Sequence, residues 1–178
     1  MNKVLKEIIN TVLYLAVVFV LTLLFIHFVA QRTRVIGSSM NPTLEDADSL
    51  ILEKVSYRFD DPERFDVIVF PFKHGTEKQN FIKRVIGLPG EKVRIDYDGN
   101  IYINGELLEE DYGREVIQDP GLAAEEITVG PDEYFVLGDN RNYSMDSRFV
   151  QVGNIKKSDI LGKAFFRIYP FNKMGGVK

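Results

Sequence analysis

The sequence has no cysteine and only two histidines, and both scarcities limit its chemistry. Without cysteine the chain can form neither a disulfide, nor a thiolate nucleophile, nor a zinc–thiolate site, although this does not identify its compartment. A Ser-His-Asp triad would need His27, in an apolar run, or His74, in a polar loop, and neither context is typical of an oriented general base. The net charge of −4 argues against nucleic acid as the main partner.

An apolar run from Thr11 to Ala30 contains no Asp, Glu, Lys or Arg over its 20 residues. At about 1.5 Å rise per residue, a helix of this length can cross a hydrocarbon core about 30 Å thick. A secretory leader has an apolar region of only about 7–15 residues, with small residues before its cut, whereas Phe28 is large. The run therefore predicts a retained membrane anchor, with a buried helix of a soluble protein as the alternative.

The charges beside this run do not decide its orientation. Lys3 and Lys6 precede it and Arg32 and Arg34 follow it, so the positive-inside rule nearly cancels. The stretch before the run is too short to form a domain, and we expect the folded part to follow the anchor.

Beyond Arg34 the pattern is typical of β-strands, and no long segment has a helical period. The apolar run Asp66–Phe70, closed by Pro71, predicts a buried strand. The turn Asp98-Gly99-Asn100 predicts a hairpin between Lys92–Asp96 and Ile101–Ile103. Further strands are expected at Ile127–Val129, Glu133–Leu137 and Ala164–Tyr169, with one helical turn at Ser158–Gly162.

Two acidic segments are interpreted as structural and not as ligand-binding sites. The polar stretch from Glu106 to Glu126 is expected to be a surface excursion. The segment Asp96–Asn100 has the spaced acidic residues of a calcium loop, but the closing glutamate is missing and a hairpin turn explains it better. We therefore expect no metal and no cofactor.

Two short peptides carry the residues most informative about chemistry. Ser39 lies in Gly37–Leu44, just after the apolar run, and Lys83 lies 44 residues later in the apolar segment Phe81–Gly90. On a strand, Lys83 shares a face with apolar neighbours, which favours a neutral amine able to take a proton from a serine. Alone, each residue has a simpler interpretation: an edge lysine reaching water and a serine closing a turn.

A third segment strengthens the catalytic interpretation. The loop from Gly138 to Arg148 is dense in hydrogen-bonding groups and directly follows the apolar Tyr134–Leu137. Such a loop can place hydroxyls and charges around a site. Its structural alternative is a network that closes a β-domain through Asp–Arg pairs.

Together these segments resemble the type I signal peptidases, and in particular their Gram-positive bacterial branch. Four stretches match the family's boxes in order: a serine box at Ser39–Leu44, a strand box at Phe65–Phe70, a lysine box at Lys83–Gly90 and a last box at Gly138–Arg148. Any one box is weak, whereas four in order are specific.

The resemblance implies a role for each matching residue. Ser39 would be the acylating nucleophile and Lys83 the general base, with Ser144 orienting the Lys83 amine. Asp146 and Arg148 would brace the loop, together with Arg84. The oxyanion hole would use the Ser39 backbone N–H and, as a second donor, the Gly37 backbone or a water, because the serine hydroxyl of the Gram-negative branch is replaced here by Gly37.

The resemblance also implies a substrate and a binding mode. Substrates would be secretory preproteins, cut after small residues at the first and third positions before the bond. They would lie extended along strand edges near Arg34-Val35-Ile36 and Gln79-Asn80-Phe81. We expect a shallow apolar groove, and its wall and contact residues would be Val35, Ile36, Met40, Val69, Asn80 and Phe81.

The implied architecture is mainly β: a coiled β-sheet catalytic domain with an inserted β-ribbon, preceded by a single transmembrane helix. We assign residues 1–10 to a short cytoplasmic N-terminus, 11–30 to the anchor, 31–172 to the peptidase domain with an insertion at about 91–130, and 173–178 to a C-terminal tail. The domain would lie outside the cell membrane.

The lipid bilayer is a further expected partner. Phe70, Phe72 and Tyr169-Pro170-Phe171 are aromatics that could settle at a membrane interface, or could instead fill the β-core.

Two competing interpretations remain at this point. One is a self-cleaving repressor of the SOS type, which also uses a Ser–Lys site but lacks an anchor. The other is a membrane-tethered β-domain without catalysis, acting in assembly or binding.

Overall fold

The computed structural model describes residues 3–74 and 77–178, and the side chains at 26–28, 74, 77 and 78 lie outside the description. Both histidine side chains considered above are among these. In the described part, one long α-helix precedes two β-sheets. The helix α1 is Lys3–Phe28. The strands are β1 Ala30–Arg34, β2 Ser49–Glu53, β3 Val67–His74, β4 Glu77–Gly87, β5 Lys92–Ile95, β6 Ile101–Ile103, β7 Glu106–Leu107, β8 Ile127–Thr128, β9 Glu133–Leu137, β10 Ile155–Lys156, β11 Gly162–Tyr169 and β12 Gly175–Gly176.

Helix α1 begins at Lys3, eight residues earlier than the apolar run itself, because the polar residues before the run also favour a helix. Its 23-residue segment Lys3–Phe25 contains an 18-residue stretch with a mean hydropathy of 2.6 and no buried residues, so it is long and apolar enough to cross a membrane. The hydroxyls of Thr11 and Thr22 donate to carbonyls one turn earlier, which leaves neither hydroxyl unpaired along the apolar surface.

The larger sheet has the antiparallel order β1-β2-β11-β3-β4-β9-β10, and β12 pairs with β11. The hairpin of β3 and β4 runs from the Val67–Arg84 pair out to His74–Glu77. The prediction that Pro71 closes β3 is wrong, since the strand continues to His74. At Pro71 only β4 is paired with β3, and such a half-open position tolerates a residue without an N–H.

The smaller sheet has the order β7-β6-β5-β8 and lies within residues 92–128. The predicted hairpin forms as β5 and β6, with Val93 opposite Ile103. Asp96 accepts hydrogen bonds from the N–H groups of Asp98 and Asn100, so its carboxylate serves the turn. A buried cluster joins this sheet to the ends of β4 and β9; its members are Ile86, Val93, Ile95, Ile101, Ile103, Ile117, Ala123, Val129, Phe135 and Leu137.

Two segments contact the core or the sheets more than the sequence indicates. The stretch 106–126 is not a simple surface excursion, because Ile117 and Ala123 are buried in the cluster just described. The residues expected as a tail, 173–178, add β12 to the edge of β11, and Val177 packs against the core. Apolar contacts and strand pairing at distant positions leave no local sequence signal, which is why the pattern did not reveal them.

Candidate active site

The turn between β1 and β2 carries Ser39. Met40 and Leu44 in this turn are at most 1% exposed, and they pack in the core with residues of β2, β3 and β11. The Asn41 N–H donates to the Ser38 carbonyl, which closes the turn around Ser39. The buried side chains of Met40 and Leu44 thus fix the turn on the sheet, while Ser39 itself is only half-buried.

Strand β4 brings Lys83 to the same place. Lys83 pairs with Ile68 of β3, and the next residue, Arg84, pairs with Leu137 at the end of β9. Because β9 leads directly into the loop 138–148, this loop begins beside Lys83 and Arg84. Sheet topology therefore brings together three segments that are far apart in the sequence.

Lys83 Nζ lies 2.7 Å from Ser39 Oγ, within the range of about 2.6–3.2 Å that proton transfer requires. The amine also donates to the Ile82 carbonyl at 3.1 Å. The Phe81 ring covers it, with the ring centroid 4.9 Å from Nζ, and Lys83 is only 3% exposed. The expected juxtaposition of a half-exposed hydroxyl and a buried amine is therefore present in the fold.

Burial lowers the pKa of Lys83 from 10.5 to about 8. The carboxylates of Asp146 and Asp139 act in the opposite direction, because negative charge favours the ammonium, and Arg148 adds to the lowering. Desolvation of the ammonium is the largest of these effects. A large fraction of the amine is thus neutral near pH 8.

Asp146 and Arg148 form a buried ion pair that braces the loop. Arg148 Nε donates to Asp146 Oδ1 at 2.8 Å and Nη2 donates to Oδ2 at 2.9 Å. Asp146 Oδ2 also accepts from the Gly138 N–H at 3.2 Å, and Arg148 Nη1 reaches the Asp119 carbonyl in the excursion. The pair therefore joins the two ends of the loop to each other, and its C-terminal end to Asp119.

Arg84 braces the site through Asp139 rather than through Asp146. Its Nε and Nη2 donate to the two carboxylate oxygens of Asp139 at 2.8 and 2.7 Å, and both side chains are fully buried. Asp139 Oδ2 accepts in addition from Thr43 Oγ1 in the serine turn. The Tyr112 ring, from the excursion, stacks on the guanidinium at 3.7 Å. This network ties the lysine strand to the serine turn.

Ser144 is buried beside the dyad, but its hydroxyl makes no hydrogen bond with any residue that the structure describes. Both Ser144 and the Ser39 carbonyl lie against Gly138. The expected contact with the Lys83 amine is therefore not formed here, where the amine donates to Ile82 instead. The orienting role of Ser144 stays a prediction.

Gly37 does not supply the second oxyanion donor that was expected of its backbone. Its N–H donates to Asp46 Oδ1 at 2.8 Å and is thus already engaged. Gly37 also has a φ of +89°, a conformation in which a serine would be strained. The hydroxyl donor of the Gram-negative branch therefore does not suit this backbone.

A groove of about 260 Å³ opens beside Ser39. Five of the six expected contact residues line it, and the exception is Val69, whose side chain is fully buried in the core with Leu44 and Leu50. Its strand position faces inward, so the prediction for Val69 is wrong. The lining also includes Gln79, which was expected at the substrate edge, and four residues that were not predicted as substrate contacts: Ser38, Ile82, Tyr143 and Met145.

A larger cleft of about 670 Å³ lies elsewhere, lined in part by Tyr57, Lys156 and Ser158. Lys156 and Ser158 are both exposed, so this cleft provides no desolvated amine. The groove at Ser39 is therefore the better candidate for chemistry despite its smaller volume.

Sequence reasoning missed three residues that hold the site together: Asp46, Asp139 and Asn140. Asp139 and Asn140 belong to the polar loop that had been recognised as a site element, so a signal existed for the segment. Nothing in the spacing distinguishes them from the neighbouring Asn142, because their partners lie about 100 positions away in the chain.

Residues 7–169 match the family model of signal peptidases, peptidase family S26. The chain is 43% identical over 152 residues to the probable signal peptidase I-2 of Synechocystis sp., covering 83% of this chain and 67% of that protein. It is 44% identical over 158 residues to signal peptidase I of Bacillus caldolyticus, covering 82% and 83%. The crystal structure of a signal peptidase I from Enterococcus faecalis is 36% identical, covers 58% of this chain and 97% of its own, and has a TM-score of 0.45.

The match includes the serine turn, the lysine strand and the loop 138–148, so it applies to the site as well as to the scaffold. The match therefore excludes the two competing interpretations, an SOS-type repressor and a non-catalytic β-domain. The chain belongs to the signal peptidase family, peptidase family S26.

Proposed function

We propose that this protein is a membrane-bound serine endopeptidase that removes signal peptides from secretory preproteins by a Ser–Lys dyad mechanism. The observation that carries the proposal is the 2.7 Å separation of Lys83 Nζ and Ser39 Oγ, with the amine buried and the hydroxyl open to a groove.

In the acylation step, neutral Lys83 takes the proton of the Ser39 hydroxyl as Oγ attacks the carbonyl carbon of the scissile bond. The resulting oxyanion is stabilised by backbone N–H groups of the serine turn. When the tetrahedral intermediate collapses, the Lys83 ammonium gives its proton to the leaving amine of the mature protein. The signal peptide then remains as an ester on Ser39.

Deacylation repeats the same chemistry with water. Lys83, neutral again, removes a proton from water as the water oxygen attacks the ester carbonyl. The second collapse returns the proton to Ser39 Oγ and releases the signal peptide with a new carboxylate. Asp146, Arg148 and Arg84 hold the loop and strand that position the dyad, without forming bonds to the substrate. Ser144 would orient the Lys83 amine.

The groove favours an extended substrate with small side chains. Between Gln79 and Lys83 the edge of β4 opposite β3 is unpaired, since β9 pairs only with Arg84, Val85 and Gly87. A peptide could add to this edge through main-chain hydrogen bonds, with Ile36 on its other side. At about 260 Å³ the groove is smaller than common ligand pockets of about 300–1,000 Å³. Short side chains near the cut fit such a space.

Helix α1 is proposed as the membrane anchor, with the N-terminus cytoplasmic and the β-domain outside the cell membrane. The aromatics expected at the interface divide into two groups. Phe70 and Phe72 are at most 9% exposed and pack on Phe81, so they belong to the core and not to the bilayer surface. Tyr169 and Phe171 are 51% and 78% exposed and remain candidates for lipid contact.

The decisive experiment is cleavage of a preprotein by the full chain in detergent, comparing native protein with Ser39→Ala, Lys83→Ala and Lys83→Arg. Each variant should lose nearly all turnover, and Ser39→Ala and Lys83→Ala should keep a cooperative thermal transition. Arginine cannot give up its proton at working pH, so Lys83→Arg keeps the charge but removes the base. Losses in a Ser39/Lys83 double variant should not add, because the two groups act as one unit. Measurable turnover in Lys83→Arg would show that another base operates.

Lipid contact is tested separately with Tyr169→Ser/Phe171→Ser in phospholipid vesicles. The variant should lose much of any stimulation by lipid while keeping its activity in detergent. Tyr97→Ser is the matched control, because Tyr97 is 85% exposed but lies at the hairpin tip of the smaller sheet. Equal lipid stimulation in both variants would contradict the proposed contact.

A further inference from the structure

Asn140 holds two successive carbonyls of the serine turn. Its backbone N–H donates to the Ser39 carbonyl at 3.0 Å, and its side-chain Nδ2 donates to the Ser38 carbonyl at 3.0 Å. Asn140 is 3% exposed, so bulk water does not compete for these contacts. One residue of the loop 138–148 therefore determines how two consecutive peptide groups of the turn are oriented.

Because a peptide group is planar, the direction of its carbonyl also determines the direction of its N–H. The bonds from Ser38 to Ser39 and from Ser39 to Met40 are both trans. In a trans peptide the N–H points opposite to the preceding carbonyl. Because the Ser38 and Ser39 carbonyls face Asn140, the N–H groups of Ser39 and Met40 face away from it. Neither N–H donates a hydrogen bond to any residue in the described part of the chain.

The N–H groups of Ser39 and Met40 can serve as oxyanion donors, whereas the N–H of Gly37 cannot. Ser38, Ser39 and Met40 all line the substrate groove. The Gly37 N–H is occupied by Asp46. An N–H from the residue that follows the nucleophile is used as an oxyanion donor in the α/β-hydrolases, so Met40 occupies a position that suits this chemistry.

We propose that Asn140 is a positioning residue for the oxyanion hole, and that it aims the N–H groups of Ser39 and Met40 at the oxygen of the scissile carbonyl, with Met40 as the second donor. The inference rests on the proposed function. The orientation of the Asn140 amide supports it: Oδ1 has no partner among the described residues, whereas a flipped amide would place this oxygen against the Ser38 carbonyl.

The test measures preprotein cleavage by the full chain in detergent with Asn140→Ala and Asn140→Asp. Aspartate has nearly the same size, but its carboxylate cannot donate to the Ser38 carbonyl. Loss of an oxyanion donor costs about 10²–10³ in rate, so misaiming the turn should lower kcat by about 10–100-fold with KM nearly unchanged. Asn142→Ala is the matched control, because the Asn142 amide binds Glu115 and the Val116 carbonyl instead of the serine turn.

Two further measurements separate aiming from general damage. The pH profile of Asn140→Ala should keep the midpoint of the native protein, since Asn140 does not touch Lys83; a disturbed dyad would move it. A peptide boronate, which forms a tetrahedral adduct on Ser39, should bind more weakly by about the same factor as the loss in kcat. An uncleavable substrate peptide should bind as before.

A backbone substitution tests Met40 directly and does not depend on the folding of the Asn140 variants. Replacing the Met40 residue by its α-hydroxy analogue turns the Ser39–Met40 amide into an ester, which removes the N–H and also weakens the Ser39 carbonyl as an acceptor for Asn140. It should lower kcat by about 10²-fold or more. Native kcat in this ester, or an Asn140→Ala protein that matches Asn142→Ala, would overturn the inference. Absence of cleavage by the native chain would instead refute the proposed function.

Discussion

Replacing Lys83 by methionine should abolish turnover and at the same time stabilise the folded protein below pH 8. Methionine has a similar length and apolar character, so it fills the space under the Phe81 ring without a charge. Burial of the Lys83 ammonium, at 3% exposure, lowers the free energy of unfolding of the native protein, and the methionine variant has no such charge to bury. Stability and catalysis are thus expected to change in opposite directions at one position.

The magnitude follows from the pKa of Lys83, lowered by burial from 10.5 to about 8. Each pH unit corresponds to about 1.4 kcal/mol, so the buried ammonium costs about 3 kcal/mol of folding free energy. The cost is fully present below about pH 8, where both states are protonated. Between pH 8 and 10.5 the unfolded state binds more protons than the folded state, so the cost declines, and it vanishes above pH 10.5. Loss of the hydrogen bonds to the Ile82 carbonyl and the Ser39 hydroxyl offsets about 1 kcal/mol, because the half-exposed Ser39 hydroxyl can bond to water instead.

Denaturant unfolding of the full chain in detergent, from pH 6 to pH 11, measures this difference. Lys83→Met should be more stable than the native protein by about 2 kcal/mol at pH 7, and this advantage should disappear and then reverse by about 1 kcal/mol as the pH approaches 11. Lys156→Met, at an exposed lysine, should show no such pH-dependent difference. A Lys83→Met protein that is less stable than the native chain at pH 7 would refute the assignment of Lys83 as a desolvated base.

Two other substitutions test the frame around the dyad. In the preprotein cleavage assay, Gly138→Ala should lower kcat by about 10²-fold, because the added Cβ would overlap the Ser144 hydroxyl and displace the site by a fraction of an ångström or more. Gly175→Ala is the control: a Cβ there meets nothing within 4 Å, so kcat should be unchanged. Asp139→Asn should destabilise the fold by about 3–5 kcal/mol in denaturant unfolding, because it leaves the buried Arg84 without its carboxylate. A kcat in Gly138→Ala equal to that of Gly175→Ala, or an Asp139→Asn protein of native stability, would contradict these contacts.

Local patterns predicted most of the strands, because they depend on neighbouring residues. The boundaries of β9 match the predicted strand Glu133–Leu137, and the turn Asp98-Gly99-Asn100 identified its hairpin. Strand β3 was predicted too short, because a proline is acceptable where only one side is paired, and pairing is a property of the whole sheet.

The site was predictable in its residue types but not in its connections. Alternation along β4 was enough to place Lys83 among apolar groups. It could not show that Gly37 already has Asp46 as an acceptor, or that Val69 faces the core, because both depend on side-chain direction in three dimensions. Asn140 shows the same limit, since its two contacts cross about 100 positions in the chain.

The adjacent cations of β4 show why the fold can keep one lysine neutral beside a permanent charge. Lys83 and Arg84 are both almost completely buried, yet strand alternation directs them to opposite sides. Arginine cannot lose its proton, so its burial requires a counterion, and Asp139 provides one with two hydrogen bonds. Lys83 forms no ion pair with a described residue; its partners are a hydroxyl and a carbonyl. The loop 138–148 therefore pairs Asp139 with Arg84, which cannot act as a base, and leaves Lys83, which can, without a counterion among the described residues.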